Sequence, residues 1–523
     1  MPRASRLSVL IVAFAAAVAG AAERHVVLVV CDGLRPDFLS AQTMPNLWAL
    51  AQSGVFFSRH HPVYPSATEV NGTALATGAY PAHSTLIGNK EYRPGIDPEK
   101  PVGMEWPAVI RRGDEVAQDH YLAWGTVAEF LHAHGLRTAV AGAKQVALLA
   151  DRCPRPDDSS ASPVVYEGAA MPARLQSTLA AALGAFPPAD RPAPDAENKI
   201  RRDAWTTHAL LDVLWRDGVP DFSLLWLAEP DCSQHANGPG SPQALAAIKS
   251  SDDNLGLVLA ELDRRGLRSC TDVLVVSDHG FSTILRAIHV AADLAGTGIN
   301  VLATVPRGGL APGQVLLVNN GGTVFFYVGG HDAAVCRRLA AQMQTQDWAG
   351  IVFTRAPAEG AFGLADGHLD SPEAPDVVVS LRWSPDRSAI GTPGLICAEG
   401  SERAPGQGQH GTLGATDMHN TLVAAGPGFR VGLRDLLPSG NVDVAPTILW
   451  LLGFKDEAAH RDGRVLGEAI VGDVSSPRPA LSRRLTARRH LDDGRTWEQY
   501  LDVSEVNGVQ YFDGGDGAQV PAR

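Results

Sequence analysis

Along this chain a short valine-rich run that stops at an acidic residue keeps returning, each time with a helical stretch beside it. His25 to Gly33, HVVLVVCDG, is continuously apolar until Asp32, as expected of a strand buried on both faces. PNLWALAQSG follows as a helix closed by Gly54. Helix GTVAEFLHAHG then leads to strand TAVAGA, DAWTTHALLDVLWRDG to FSLLWLAEPD, and ALAAIKSSDDNLGLVLAELDRRG to TDVLVVSDHG. Parallel strands need a crossover of a dozen or more residues, usually a helix. The alternation therefore predicts an α/β fold: a mostly parallel central sheet sandwiched between helices. Such sheets bind ligands beyond the carboxyl ends of their strands, which makes the polar residues there the first candidates for function.

The rest of the chain interrupts this beat in three places. Residues 81–121 are rich in Pro, Gly and charge and read as a flap. Residues 283–375 carry their own strand and helix signals, GTVFFYVGG, AAVCRRLAAQMQTQ and IVFTRA, and read as an inserted cap subdomain between core segments 22–282 and 376–474. Residues 475–523 begin with the basic segment RPALSRRLTARRH and continue as a β-hairpin turning near Asn507-Gly508. With 523 residues, 45% of them hydrophobic, the chain can bury a large core, as one domain with insertions or as two to three domains.

Residues 1–21 have Arg3 and Arg6, an uncharged run from Leu7 to Ala19, and small residues at Ala19-Gly20-Ala21, the pattern of a cleavable secretory signal peptide. The alternative is a membrane anchor, for which this run falls short of the roughly 20 residues needed. A secreted or periplasmic protein without integral membrane association follows. Loss of the two arginines would take the net charge from −13 to −15. So acidic a chain is ill suited to gripping long nucleic acid. An anionic substrate needs a concentrated local positive charge, which a metal supplies. The six cysteines show no CxxC spacing, so no zinc-finger framework is indicated.

The strand-end residues form a set: Asp32, then Asp231 and His235, then Asp278 and His279, with His419 before a later apolar run. Singly, each has an ordinary explanation as a capping acid or a satisfied histidine. Together, three carboxylates and three imidazoles on one sheet edge would repel or lie unpaired without a cation, and these oxygen and nitrogen donors suit zinc.

With the order Asp32, Thr68, Asn89, Asp231-x-x-x-His235, Asp278-His279 and His419, the chain resembles the alkaline phosphatase superfamily, within it the nucleotide pyrophosphatase/phosphodiesterase family. The resemblance runs from Val26 to about Gly453 and includes NVDVAPTILWLLG, similar to the family's closing helix. It implies an alkaline phosphatase-like fold and two divalent metal ions, most often zinc. One would be held by Asp32, Thr68, Asp278 and His279, the other by Asp231, His235 and His419. It also implies that Thr68 is the nucleophile and that Asn89, 21 residues later, binds a phosphate oxygen. In YPSATEVNGTALATG, Ser66 and Thr73 are then a turn residue and a helix-face residue. Thr68 would start a helix, whose free N–H groups favour an anionic phosphoryl group. His410 reads as a substrate contact or a loop histidine, and Cys31 and Cys232 as small buried residues beside the acids.

The expected reaction is hydrolysis of a small phosphodiester or nucleotide pyrophosphate through a covalent phosphothreonine. Threonine-type monoesterases and phosphonate hydrolases of the superfamily place a lysine with a second base two positions on. Here Lys144 fits the first, or is a solvated strand-end charge, while Val146 stands at the second position. That favours diesters and leaves a phosphomonoesterase or phosphonate hydrolase as the alternative. Sulfatases use a formylglycine from Cys or Ser in a motif with Pro and Arg, which SATEV does not match. A phosphotransferase and an inactive binding protein are the remaining classes.

Overall fold

The computed structural model describes residues 24–152, 162–188, 196–400, 402–472 and 477–521. The expected signal peptide and Cys153 lie outside them.

A nine-stranded sheet forms the centre. Its order is Leu433–Asp435, Val55–Phe57, Leu422–Ala425, Thr271–Val276, His25–Cys31, Phe222–Leu227, Thr138–Gly142, Val164–Tyr166 and Ala169–Met171. The middle four strands, Thr271–Val276 through Thr138–Gly142, are parallel, and Val164–Tyr166 extends them. Leu422–Ala425 is antiparallel to both its neighbours, and Ala169–Met171 closes the far edge antiparallel. Leu433–Asp435 pairs parallel with Val55–Phe57, so the sheet is mixed, with a parallel centre and antiparallel pairings toward both edges. Its parallel centre follows from the helical crossovers, whereas the antiparallel strands arrive through loops that no helix periodicity announces.

Alternation along His25–Cys31 explains why that strand is apolar throughout, since successive side chains point to opposite faces. Val26, Leu28 and Val30 enter one core with Val70 and Ala74 of helix Thr68–Thr77 and with helix Val444–Leu451. Val27, Val29 and Cys31 enter a second core with helices Pro45–Ser53 and Pro242–Arg264. Both layers are helical. No helix among the described residues is long and apolar enough to cross a membrane.

The cap is built on a six-stranded sheet between Val301 and Leu381, backed by helix Ala333–Met343, whose N-cap Asp332 accepts from the amides of Ala334 and Val335. A smaller four-stranded sheet, Trp383–Arg387, Pro393–Glu399, Ser282–Ile288 and Gly408–Gln409, links cap to core. The C-terminal region is a three-stranded sheet: the basic stretch itself forms the outer strand Leu481–His490, followed by Arg495–Val506 and Val509–Pro521. It sits on the cap. Gln499 bonds both the N–H and the C=O of Val352, at 3.0 and 3.2 Å.

The flap is fastened to the cap as well. Lys90 N–H donates to Asn320 Oδ1 at 2.9 Å, and Asn320 Nδ2 returns a bond to Lys90 O at 3.0 Å. A Cβ on the adjacent Gly88 would lie 2.5 Å from the Phe325 ring, so only glycine fits there.

Candidate active site

Three neighbouring parallel strands deliver the acids. Val30 pairs with Val276 and Cys31 with Leu227, so Asp32, Asp278 and the loop to Asp231 leave the sheet side by side. All three carboxylates are buried, and each keeps one oxygen, Asp32 Oδ1, Asp231 Oδ1 and Asp278 Oδ2, without a hydrogen-bond donor among the described residues. Burial, with Asp278 close by, pushes Asp32 well above the usual carboxylate range, and burial raises Asp278 to about 7 against the opposing pull of Lys144. For Asp231 burial is outweighed by His235 and Lys144, which hold its carboxyl well below that range.

Three histidines face these orphan oxygens. His279 Nε2 is 3.3 Å from Asp278 Oδ2 and 3.7 Å from Asp32 Oδ1. His235 and His410 bring Nε2 to 3.2 and 3.6 Å from Asp231 Oδ1. Each of the three directs Nδ1 at a backbone carbonyl: His279 at Gly280 O, His235 at Gly408 O, His410 at Ser66 O, at 2.9, 3.0 and 2.7 Å. A carbonyl only accepts, which assigns the proton to Nδ1 and leaves the Nε2 lone pair toward the carboxylates. Burial depresses the pKa of His235 and of His410. Two groups result whose donor atoms all lie within 4.8 Å of one another: Asp231, His235 and His410, and Asp32, Asp231 and His279. Neutral imidazoles and unsatisfied carboxylate oxygens are the donor set of a divalent metal.

Thr68 stands at the start of helix Thr68–Thr77, which has no side-chain N-cap. Its Oγ1 is 3.1 Å from His279 Nε2, at the edge of the same group. Asn89 lines the same cavity of about 570 Å³, and its Oδ1 accepts the Glu69 N–H at 3.1 Å, which turns its amide nitrogen away from the helix. The Ser66 hydroxyl is spent on Thr412 O at 2.9 Å. Lys144 is no solvated charge. Its Nζ lies 2.8 Å from both Asp32 Oδ2 and Asp231 Oδ2, so an ammonium bridges the two carboxylates and shows that this spot holds positive charge.

His419 does not join the group. Its Nε2 faces Ser58 O at 3.0 Å, beside His61, and it lines a separate cavity of about 720 Å³ with Arg35 and Trp48. The cause is a turn. Asp417 accepts from Thr412 N and Oγ1 at 3.0 and 2.6 Å, and Gly280 and Phe281 bond the carbonyls of Asp417 and Thr416. That knot leaves His410 facing Asp231 and carries His419 away toward strand Leu422–Ala425.

A family model described as type I phosphodiesterase / nucleotide pyrophosphatase matches residues 26–396. The chain belongs to this family. Venom phosphodiesterase CdcPDE of Crotalus durissus collilineatus is 25% identical over 273 residues, covering 51% of this chain and 27% of its own length. Ectonucleotide pyrophosphatase/phosphodiesterase family member 3 of Mus musculus is 23% identical over 259 residues, 49% and 24% of the two lengths. Family member 1 of Homo sapiens is 23% identical over 262 residues, 48% and 22%. The matches thus span about a quarter of these relatives. The phosphodiesterase/nucleotide pyrophosphatase match includes every strand-end acid, Thr68 and Asn89, and stops short of His410.

Other contributors had no sequence signal. Trp226 Nε1 donates to Asp32 Oδ2 at 3.0 Å, Gly33 N to Asp278 Oδ1 at 2.9 Å, and Asn441 Nδ2 to Asp278 O at 2.6 Å. These bonds fix the acids that the histidines face. Cys31 and Cys232 are free thiols whose pKa burial raises, in keeping with small packed residues.

Proposed function

We propose that this family member is an exported two-metal hydrolase that cleaves phosphodiester or nucleotide pyrophosphate bonds through a phosphothreonine at Thr68. The observation that carries the reading is the Thr68 hydroxyl at an uncapped helix start, 3.1 Å from His279 Nε2, which faces buried carboxylate oxygens that have no donor among the described residues. Asp32, Thr68, Asp278 and His279 would hold one divalent cation, and Asp231, His235 and His410 the other, zinc by the character of the donors. When bound, such a pair supplies the positive charge that lowers the pKa of a hydroxyl and neutralises the phosphoryl oxygens.

Thr68 Oγ1 attacks phosphorus, its proton passes to solvent, and the bond from phosphorus to the leaving oxygen breaks. The Asn89 amide and the Thr68 backbone N–H steady a non-bridging oxygen. Water then attacks the phosphothreonine, breaking its P–O bond and restoring the hydroxyl. Val146 supports a diester over a monoester, because it is buried in the core and offers no second base beside Lys144.

The test is turnover of bis-p-nitrophenyl phosphate, p-nitrophenyl phosphate, dinucleotides and nucleoside triphosphates, with metal analysis, on the parent and on Thr68→Ala. The variant keeps its metals largely, through the three other ligands of that cation, and loses turnover by orders of magnitude, and the parent prefers the diester. A variant within a few-fold of the parent, or a preference for the monoester, overturns the corresponding part of the reading.

A further inference from the structure

Two buried side-chain amides close to the nucleophile have no part in the scheme above. Asn71 lies three residues beyond Thr68 on the same helix, fully buried, with its amide turned back on the segment that leads into the nucleophile. Its Oδ1 accepts the Val63 N–H at 2.8 Å, and its Nδ2 donates toward the carbonyls of Val63, Pro65 and Ala67 at 3.1, 3.2 and 3.1 Å. Within that held segment, the Ser66 carbonyl accepts from His410 Nδ1 at 2.7 Å. Asn441 is equally buried. Its Nδ2 donates to Asn71 Oδ1 at 2.9 Å and to Asp278 O at 2.6 Å, and its Oδ1 accepts from His60 Nε2 and Asn420 Nδ2 at 2.9 and 3.1 Å. Both donors and both lone pairs of Asn441 are thereby used. Asn420 in turn donates to Ser277 O, beside Asp278. Uncharged amides joined end to end thus run from the approach to Thr68 to the backbone of Asp278.

Neither Asn71 nor Asn441 lines the cavity that holds Thr68 and Asn89. An apolar side chain would fill the same space without the cost of desolvating an amide. What the amides add is direction, since a fully satisfied polar network fixes one arrangement of the groups it joins. Resting on the hydrolase reading, we propose that Asn71 and Asn441 are positioning residues, a strut that sets the Thr68 hydroxyl and the His410 imidazole against Asp278. Attack in line with the leaving oxygen depends on that setting, and a shift of about 1 Å costs about 10²-fold in rate.

The experiment compares the parent with Asn71→Leu, Asn441→Leu and the double variant. All are held in excess metal and assayed with bis-p-nitrophenyl phosphate well below their melting temperatures. In each single variant kcat is expected to fall about tenfold or more, with KM within about threefold of the parent. Because both substitutions cut one strut, the double variant falls by less than the product of the two single losses. A purely structural role would lower the melting temperature and leave kcat alone. Folded variants with kcat within about twofold of the parent, or single losses that multiply in the double variant, overturn the strut and leave the hydrolase standing. Asn71→Ser or Asn441→Ser replaces a leucine variant that does not fold and is read in the same way. Should the parent cleave no ester, the hydrolase reading fails, and the crystal structure of the Asn71 variant decides the strut. Thr68 Oγ1 still 3.1 Å from His279 Nε2, with His410 Nδ1 still on Ser66 O, overturns it, and displacement of either upholds it.

Discussion

Which of two histidines in one glycine-rich loop turns inward is a residue-scale question with a direct test. The structure aims His410 at Asp231 and sends His419 to Ser58. On the proposed two-metal reading, His410→Ala is expected to weaken binding of one metal by about 10²-fold or more and turnover with it, whereas His419→Ala leaves metal binding unchanged. Metal stoichiometry after dialysis against a graded chelator checks this, and loss of metal in the His419 variant would reverse the assignment. Asp231 and His235, read as strand-end residues, sit on one face of helix Asp231–Asn237 because they are four residues apart. The histidine nine residues from His410 was read as the ligand because spacing along a loop says nothing of the turn that Asp417 ties with Thr412. Lys144 was undecided for a like reason, since its bridge to Asp32 and Asp231 joins parts of the chain 112 and 87 residues apart.

At the scale of elements, strand pairs carry their own pH dependence. His60 of the short strand His60–His61 is buried, with Nδ1 on Ser439 Oγ and Nε2 on Asn441 Oδ1, both at 2.9 Å. Burial, with His61 and His419 nearby, lowers its pKa to about 3. The unfolded chain takes up a proton below about 6.5 and the folded one only near 3, so the unfolded state binds more protons between those values. Stability is accordingly lost as pH falls from about 6.5 toward 3. Urea midpoints at successive pH values should show this acid limb, shallower in His60→Gln by up to about 1.4 kcal/mol per pH unit. A second prediction concerns the flap. Asn320→Ala removes both bonds to Lys90 and loosens the neighbouring Asn89, and kcat/KM for a diester is expected to fall about tenfold with little change in melting temperature. An unchanged kcat/KM would show that the latch does not position Asn89. The parallel strands were readable because double-sided burial leaves uninterrupted valine runs. Antiparallel Leu422–Ala425 was not assigned to the sheet, because four buried residues after a loop carry no direction.

Over the whole molecule, the three-stranded C-terminal sheet completes the cap instead of trailing from it. Trp497, Leu501, Val503 and Phe512 are buried, the last three in one core with Ile351 and Phe353 of the cap. A chain ending at residue 472 would expose this apolar face. It is expected to aggregate or to lose the cooperative unfolding of the full chain, and calorimetry with light scattering distinguishes either result from an intact cap. The hairpin turn was legible at Asn507-Gly508, where both residues adopt positive φ, 54° and 91°. That the arginine-rich stretch becomes a third strand was not, because its charges mimic a solvated tail until register pairs Arg484 with Asp502 and Arg488 with Glu498. Finally, the tie between Asn320 and Lys90, with Gly88 wedged against Phe325, makes two insertions far apart in sequence into one mechanical unit. Lengthening either loop alone would shift Asn89 against Thr68, so among descendants of this gene the lengths of segments 81–121 and 319–322 should drift together, and substrate range should change by paired edits.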